Sequence, residues 1–332
     1  MGFRKPFSQV VLKSANSPPG QIGVVKGANH GGPGAVQKAE AEEKTAHLMA
    51  QAQALETLLQ AGLERDPHVA VGAWGAEPTL ADLPGDADAV SQPIHDRFVP
   101  APLGLIESLA PGAAARHAKA VAEGEAALAA AMADWRRQNE RRAEALAALK
   151  AQVDAHNQAL EAIEAKLKAG EPETVRWYAG QVLAASPYPH SLHRQIEVTS
   201  GPTPRRLTVS LTVPDAKTVT PPFERYRFAR AKGEVVPIKR SPEDTAALYA
   251  RTIAQLALRT LHELFVSDVG HAIDVVDLRI AATAPDPSTG KPTTKPLASV
   301  GVSRADFEDI ELAHVDPIAC LDRLKTLSRA AG

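Results

Sequence analysis

LAAAMADWRRQNERRAEALAALKAQVDAHNQALEAIEAKL, residues 128–167, decides how this chain is read. Leu128, Met132, Trp135, Asn139, Arg142, Leu146, Leu149, Val153, His156, Leu160, Ile163 and Leu167 follow one another at intervals of four and three. That is an a/d heptad seam, and it extends back through Glu125 and Val121 without a slip. No proline interrupts it, and alanine, the best helix former, fills much of the remainder. The spacing predicts one helix over 112–170, roughly 85 Å long at 1.5 Å per residue, built to lie against another helix. Gly170 stands where a left-handed cap belongs, and Pro172 stops the helix.

Outward from this helix, the chain divides unequally. Residues 1–35 are rich in Gly, Pro, Ser and Asn, without periodicity, and read as a disordered N-terminus. Residues 36–64 read as a second helix with Leu48, Ala52, Leu55, Leu59 and Leu63 on one face. A proline-rich linker, 65–111, carries isolated apolar residues such as Trp74, Phe98 and Ile106; it reads as disordered or as an extended strap. Residues 171–328 change character. After a short helix over 175–185 the period turns to two, at Gln195–Thr199 and Leu207–Val213 around a Gly201-Pro202-Thr203-Pro204 turn. A second hairpin, Phe223–Ala231 with Val235–Lys239, turns at Lys232-Gly233. Ser241-Pro242-Glu243-Asp244 is a helix start: a cap, a proline at the first position, and acids against the dipole. The helix it opens is apolar around most of its circumference, so it belongs in the centre of a core. Two more strands, His271–Ala284 and Leu297–Ser303, and two short helices, Asp306–Ile310 and Pro317–Leu327, complete the chain. The expected fold class is α+β: a long coiled-coil helix followed by a small antiparallel-sheet domain with one buried central helix.

Composition narrows the function classes. The chain has 332 residues and a formal charge of −2, so any basic patch is local. Aromatic content is 4%, which places the core where Val, Ile, Leu, Phe and Tyr cluster, after about residue 173. Cys320 is the only cysteine, which excludes intramolecular disulfides and cysteine-rich zinc sites; it reads as core packing. No run approaches the roughly 18 apolar residues of a membrane span, and no signal-peptide pattern opens the chain. A cytoplasmic protein without membrane, metal or cofactor is the expectation.

Asn139 falls at an a position when Met132 is a, and a buried Asn there sets register in parallel dimers. Self-association through 112–170 is one reading. A helix hairpin in which 112–170 folds back on 36–64 is the other. Ala143, Ala145 and Ala159 on the flanks, beside Arg136, Lys150 and Glu164, choose no partner by charge and admit a broader bundle.

Arg259, His262 and Glu263, at i, i+3 and i+4, bring a cation, an imidazole and a carboxylate to one helical face. They read either as a catalytic set lacking a nucleophile or metal, or as an internal ion pair closing the core. Arg225, Arg227, Arg230, Lys232, Lys239 and Arg240 form the one concentrated basic patch. They are interleaved with Phe223, Tyr226 and Phe228, a combination that grips nucleic-acid backbone and stacks bases. Alternation places Phe223 on the face of Arg225 and Arg227, opposite Tyr226, Phe228 and Arg230. Glu164-Ala165-Lys166 spells the end of a nuclease motif, but on a helix rather than a strand. Gly290-Lys291-Pro292 ends like a phosphate loop yet lacks its first glycine and its Ser/Thr.

From Trp177 onward the order of features resembles a known region. It comprises Tyr178-Ala179-Gly180-Gln181, Ser186-Pro187-Tyr188-Pro189, Arg225-Tyr226-Arg227-Phe228, Leu258-Arg259-Thr260-Leu261-His262-Glu263-Leu264-Phe265, Asp286-Pro287-Ser288-Thr289-Gly290 and Val315-Asp316-Pro317. Together these resemble the segment that precedes the nuclease domain in bacterial Mrr-type restriction-endonuclease-like proteins. There too a proline-rich stretch and an alanine-rich coil with a Trp like Trp135 come first. The nuclease domain and its metal motif have no counterpart here. The resemblance therefore implies a non-catalytic accessory part of a DNA-defence protein, with a nuclease as partner, and no catalytic residue. DNA binding by the basic hairpin 223–240 is the alternative.

Overall fold

The structure is a computed structural model that describes residues 34–71, 92–104, 106, 110–286 and 288–330. The expected disordered N-terminus and Trp74 lie outside the described residues, apart from the start of the first helix.

The chain is α+β. Its core is a four-stranded sheet ordered β1-β2-β5-β6: β1 (Gln195–Ser200), β2 (Arg206–Pro214), β5 (Val275–Pro285) and β6 (Pro292–Ser303). β1 and β6 run antiparallel to their neighbours, but β2 and β5 are parallel, so the sheet is mixed rather than antiparallel. Connectivity gives the reason. After β2 the chain leaves the sheet and builds a separate two-stranded ribbon, β3 (Phe223–Ala229) and β4 (Glu234–Lys239). It then returns through α6 (Pro242–Ser267). A 26-residue helix laid across the sheet carries the chain back to the end where β2 began, so β5 enters in the direction of β2. Alternation along β2 and β5 turns Leu207, Val209, Leu211, Val276, Leu278 and Ile280 to one buried face.

α6 lies on that face. α4 (Pro172–Ala185) packs beside it over β1, and α8 (Pro317–Ala330) over β6; two short helices, α5 (Ala216–Val219) and α7 (Arg304–Glu308), follow β2 and β6. Ser241 caps α6 by accepting the Asp244 N–H at 3.0 Å, with Pro242 in the first turn, as its residue types predict. Ten consecutive residues, Thr252 to Leu261, are buried, which requires cover on every side. The Tyr249 hydroxyl donates to the Pro214 carbonyl at 2.7 Å, and burial pushes its pKa up to about 12.

The fourth side of α6 is covered from the far end of the sequence. The helix expected over 36–64 is two helices, α1 (Ala35–Glu56) and α2 (Leu58–Leu63). A side chain from α6 interrupts them. Gln255 Oε1 accepts the Leu59 N–H at 3.1 Å, and Gln255 Nε2 donates to the Leu55 carbonyl at 2.9 Å. These two groups would otherwise bond each other along a continuous helix; the amide inserts between them. Leu48, Leu55 and Leu59 are buried as their spacing implies, joined by Leu58.

α3 (Ala113–Lys168) is 56 residues long, roughly 84 Å. Its end is a Schellman motif: Glu171 N–H donates to Lys166 O at 3.0 Å, Gly170 N–H to Leu167 O at 2.9 Å, and Gly170 has φ +68°. Leu167 packs against the core of the domain, and α4 packs on this end. At the other end the strap crosses the helix. A Cβ on Gly124 would sit 2.3 Å from the Phe98 carbonyl oxygen, so only glycine admits the crossing. The helix hairpin with 36–64 does not form, because α1 packs along β3, β4 and α6 instead.

α1 docks on the ribbon through Thr45, whose hydroxyl accepts the Tyr226 N–H at 2.9 Å. Thr45→Val keeps the shape and removes that acceptor, leaving a partly buried N–H unpaired. The expected loss is about 1–2 kcal/mol in urea unfolding, with Thr45→Ser near wild type.

Candidate functional site

The three polar residues predicted to share a face of α6 part company. Arg259 and Glu263 point inward, 2% and 1% exposed, and Arg259 Nε donates to Glu263 Oε1 at 2.8 Å. Three more guanidinium hydrogens reach Leu58 O at 3.2 Å, Ser186 Oγ at 2.8 Å and Pro187 O at 3.0 Å. Ser186 donates in turn to Glu263 Oε1. The Tyr188 ring lies 4.2 Å from the Arg259 guanidinium and 3.6 Å from that of Arg194. One pair on α6 thus ties together α2, the turn after α4, and the loop into β1. Burial, then the Glu263 charge, hold the Tyr188 phenol above its ordinary range. Gly62 makes room for the cluster; a Cβ there would lie 2.7 Å from the Arg259 stem.

Arg259 and Glu263 are thus an enclosed ion pair, in which Glu263 Oε2 and the Tyr188 hydroxyl have no hydrogen-bond partner among the described residues. His262 turns elsewhere. It is half-buried at a cleft of about 610 Å³ shared with His68, His271, Asp268 and Arg304. Burial is the first cause lowering its pKa, so the neutral imidazole is favoured. Among the described residues no group of three or more His, Cys, Asp or Glu side chains is placed to hold a metal ion. No helix among them is long and apolar enough to cross a membrane. Cys320 is buried in α8, as its apolar neighbours suggest. Glu164 and Lys166 lie on α3, not on a strand.

A second cavity, about 450 Å³, opens where the end of α3 meets α4 and the turn after α6. Val71, Leu167, Val175, Ala179 and Ile273 give it an apolar wall. The Tyr178 oxygen, accepting the Val69 N–H at 3.1 Å, supplies a polar edge.

The basic hairpin forms as the β3–β4 ribbon, but its faces differ from simple alternation. Glu224 is an extra residue in β3: Phe223 pairs with Lys239 and Arg225 with the adjacent Ile238. This bulge turns Phe223 onto the side of Tyr226, where the two rings meet edge to face at 5.8 Å. Phe223, Tyr226 and Phe228 are half-buried, and Tyr226 and Phe228 lie against α1. Arg225 and Arg227 share the opposite, open face. Arg225, Arg227, Arg230, Lys232 and Lys239 are exposed and make no ion pair or side-chain hydrogen bond with the described residues. Arg240 is held at the base of the ribbon, Nε donating to Pro221 O at 3.3 Å.

Spacing in one helix revealed Arg259 and Glu263. Ser186, Tyr188 and Arg194 escaped it because they lie about seventy residues away, in a loop whose polar groups carry no period.

Glu263→Ala strands a buried guanidinium and is expected to cost about 3–5 kcal/mol in urea unfolding. The volume-matched pair Arg259→Met with Glu263→Leu loses less than Glu263→Ala alone, since neither charge is then left behind. His262 has a folded pKa below its ordinary 6.5, so the unfolded chain binds its proton first. Its contribution is intact above that value and is lost as pH falls through and below it. Stability of His262→Gln, followed by thermal unfolding from pH 8 to about 5, loses that part of the acid-side slope.

No family model, no curated protein and no solved structure matches the chain.

Proposed function

We propose that this protein is a non-catalytic accessory or scaffold component that assembles through α3 and carries its α+β domain at the end of that arm. One observation carries the reading: of the 56 residues in α3, only Ala113, Gly124 and Leu160 are buried. Long helices in water owe most of their stability to an apolar face packed on something else. Leu128, Met132, Leu146, Leu149 and Val153 form such a face and stay half-buried.

A second copy of the chain is the partner that fits. The seam needs an apolar helix of matching length. Among the described residues the next longest helix, α6, has 26 residues and is enclosed in the core. Asn139 at an a position is exposed, available to meet its counterpart and set register. The alanine flanks also admit a third or fourth helix.

The setting is a cytoplasmic, bacterial DNA-defence system in which a separate nuclease is the catalytic partner. This rests on the resemblance of the Leu258–Phe265 run and its flanking motifs to the non-nuclease region of Mrr-type proteins, and on no other likeness.

Light scattering of the full chain tests the assembly. The expected mass is two or more times 35.1 kDa, falling to 35.1 kDa in Leu146→Glu/Leu149→Glu. A wild-type mass of 35.1 kDa at every concentration sinks the proposal. Asn139→Ile is expected to tighten the assembly while blurring its subunit number.

A further inference from the structure

We infer that the open face of the β3–β4 ribbon is a binding surface for duplex DNA, a role separate from assembly through α3. Four observations converge on this surface.

Charge comes first. Residues 223–240 hold six cations against two carboxylates, Glu224 and Glu234, in a chain whose net charge is −2. Several exposed or half-exposed arginines of the domain meet acids, Arg205 with Asp274, Arg206 with Asp277 and Arg251 with Asp316, though isolated ones such as Arg279 do not. The five outer cations of the ribbon have no such partner among the described residues. A row of unneutralised, solvated cations gains most from a polyanion that releases its own counterions on binding.

Shape is the second. The ribbon is not part of the main sheet, and α1 covers only its aromatic side. A free two-stranded antiparallel ribbon has the width that enters the DNA major groove. Arg225 and Arg227 stand about 7 Å apart on the leading face. Arg230 and Lys232 lie at the turn, whereas Lys239, paired with Phe223, lies near the base on the aromatic side.

Third, the aromatic side chains are turned away. Recognition of single strands depends on rings open to stacked bases. Tyr226 and Phe228 are instead half-buried, lining a cleft of about 380 Å³ against α1 on the side away from Arg225. The surface left open sets Arg225 and Arg227 beside their cross-strand partners Ile238 and Val236, with Arg230 and Lys232 at the turn, an arrangement suited to phosphates along a regular duplex. The deep, narrow major groove of double-stranded RNA excludes a ribbon, which favours DNA.

Fourth, the attachment is firm. Thr45 bonds the backbone of Tyr226, and Lys44 lies 5.6 Å over its ring, so the ribbon is braced from behind rather than left as a free hairpin. Glu234, at the turn end of the arginine face, is the one carboxylate there, and it sets a limit on how far along the ribbon a phosphate chain approaches.

Fluorescence anisotropy of the full-length protein with a labelled DNA duplex of about 30 base pairs, over roughly 50–200 mM salt, tests the inference. Wild type should bind more weakly as salt rises, and should prefer the duplex to either single strand and to an RNA duplex of the same sequence. Arg225→Ala/Arg227→Ala should bind at least about tenfold more weakly and flatten the logarithmic salt slope by about two. Arg225→Lys/Arg227→Lys should keep the slope, which separates lost charge from lost folding. Lys119→Ala/Arg137→Ala on α3 should bind as wild type. Absence of binding, binding unchanged by the arginine-to-alanine pair, an equal loss in the α3 pair, or preference for single strands or RNA would each overturn it.

Discussion

A guanidinium and a carboxylate bonded at 2.8 Å inside an apolar helix are what the rest of this structure is arranged around. Burying Arg259 and Glu263 together carries a desolvation cost of several kcal/mol per ion, which their mutual attraction and the hydrogen bonds of Arg259 must offset. The acceptors come from three places: the end of α2, the turn after α4, and Glu263 itself. Satisfying one arginine therefore fixes how those segments sit. Gln255, one turn earlier on α6, repeats the device by taking both halves of a broken α1–α2 hydrogen bond. Apolar contacts supply most of the driving force here, as they do generally. The two polar clamps decide which of the many ways of covering α6 is used.

Cover for α6 by α1 and α2 has consequences at both ends of the molecule. Because α1 is committed to α6 and the ribbon, it is not free to lie along α3. Among the described residues the seam of the long helix is left without a partner of its own length. The same commitment hides the aromatic side of the ribbon and leaves its arginine side in water. Two surfaces that differ in chemistry, one apolar and helical, one basic and extended, both follow from where one N-terminal helix docks.

Much of this architecture was legible in the residues. The long helix, the Gly170 cap, the Ser241 cap and the alternation of β2 are each local, decided within a turn or a strand. Arg259 and Glu263 were found by their spacing and His262 with them, although the structure separates the imidazole from the pair. The misreadings share a cause. The parallel pairing of β2 and β5 depends on the path taken through α6, not on either strand. The break between α1 and α2 is made by a side chain almost two hundred residues away. The facing of Phe223 depends on the extra residue Glu224, which a strict period of two passes over.

By itself the sequence determined most of the elements: which stretches are helix or strand, the caps that end α3 and start α6, and that α6 is enclosed. These follow from hydrogen bonds and side-chain sterics between residues a few positions apart. Only the tertiary structure decided the direction of β5, the docking of α1 on the ribbon rather than on α3, and which face of the ribbon meets water. Each of those turns on contacts between residues far apart in the chain, whose energies no local pattern records.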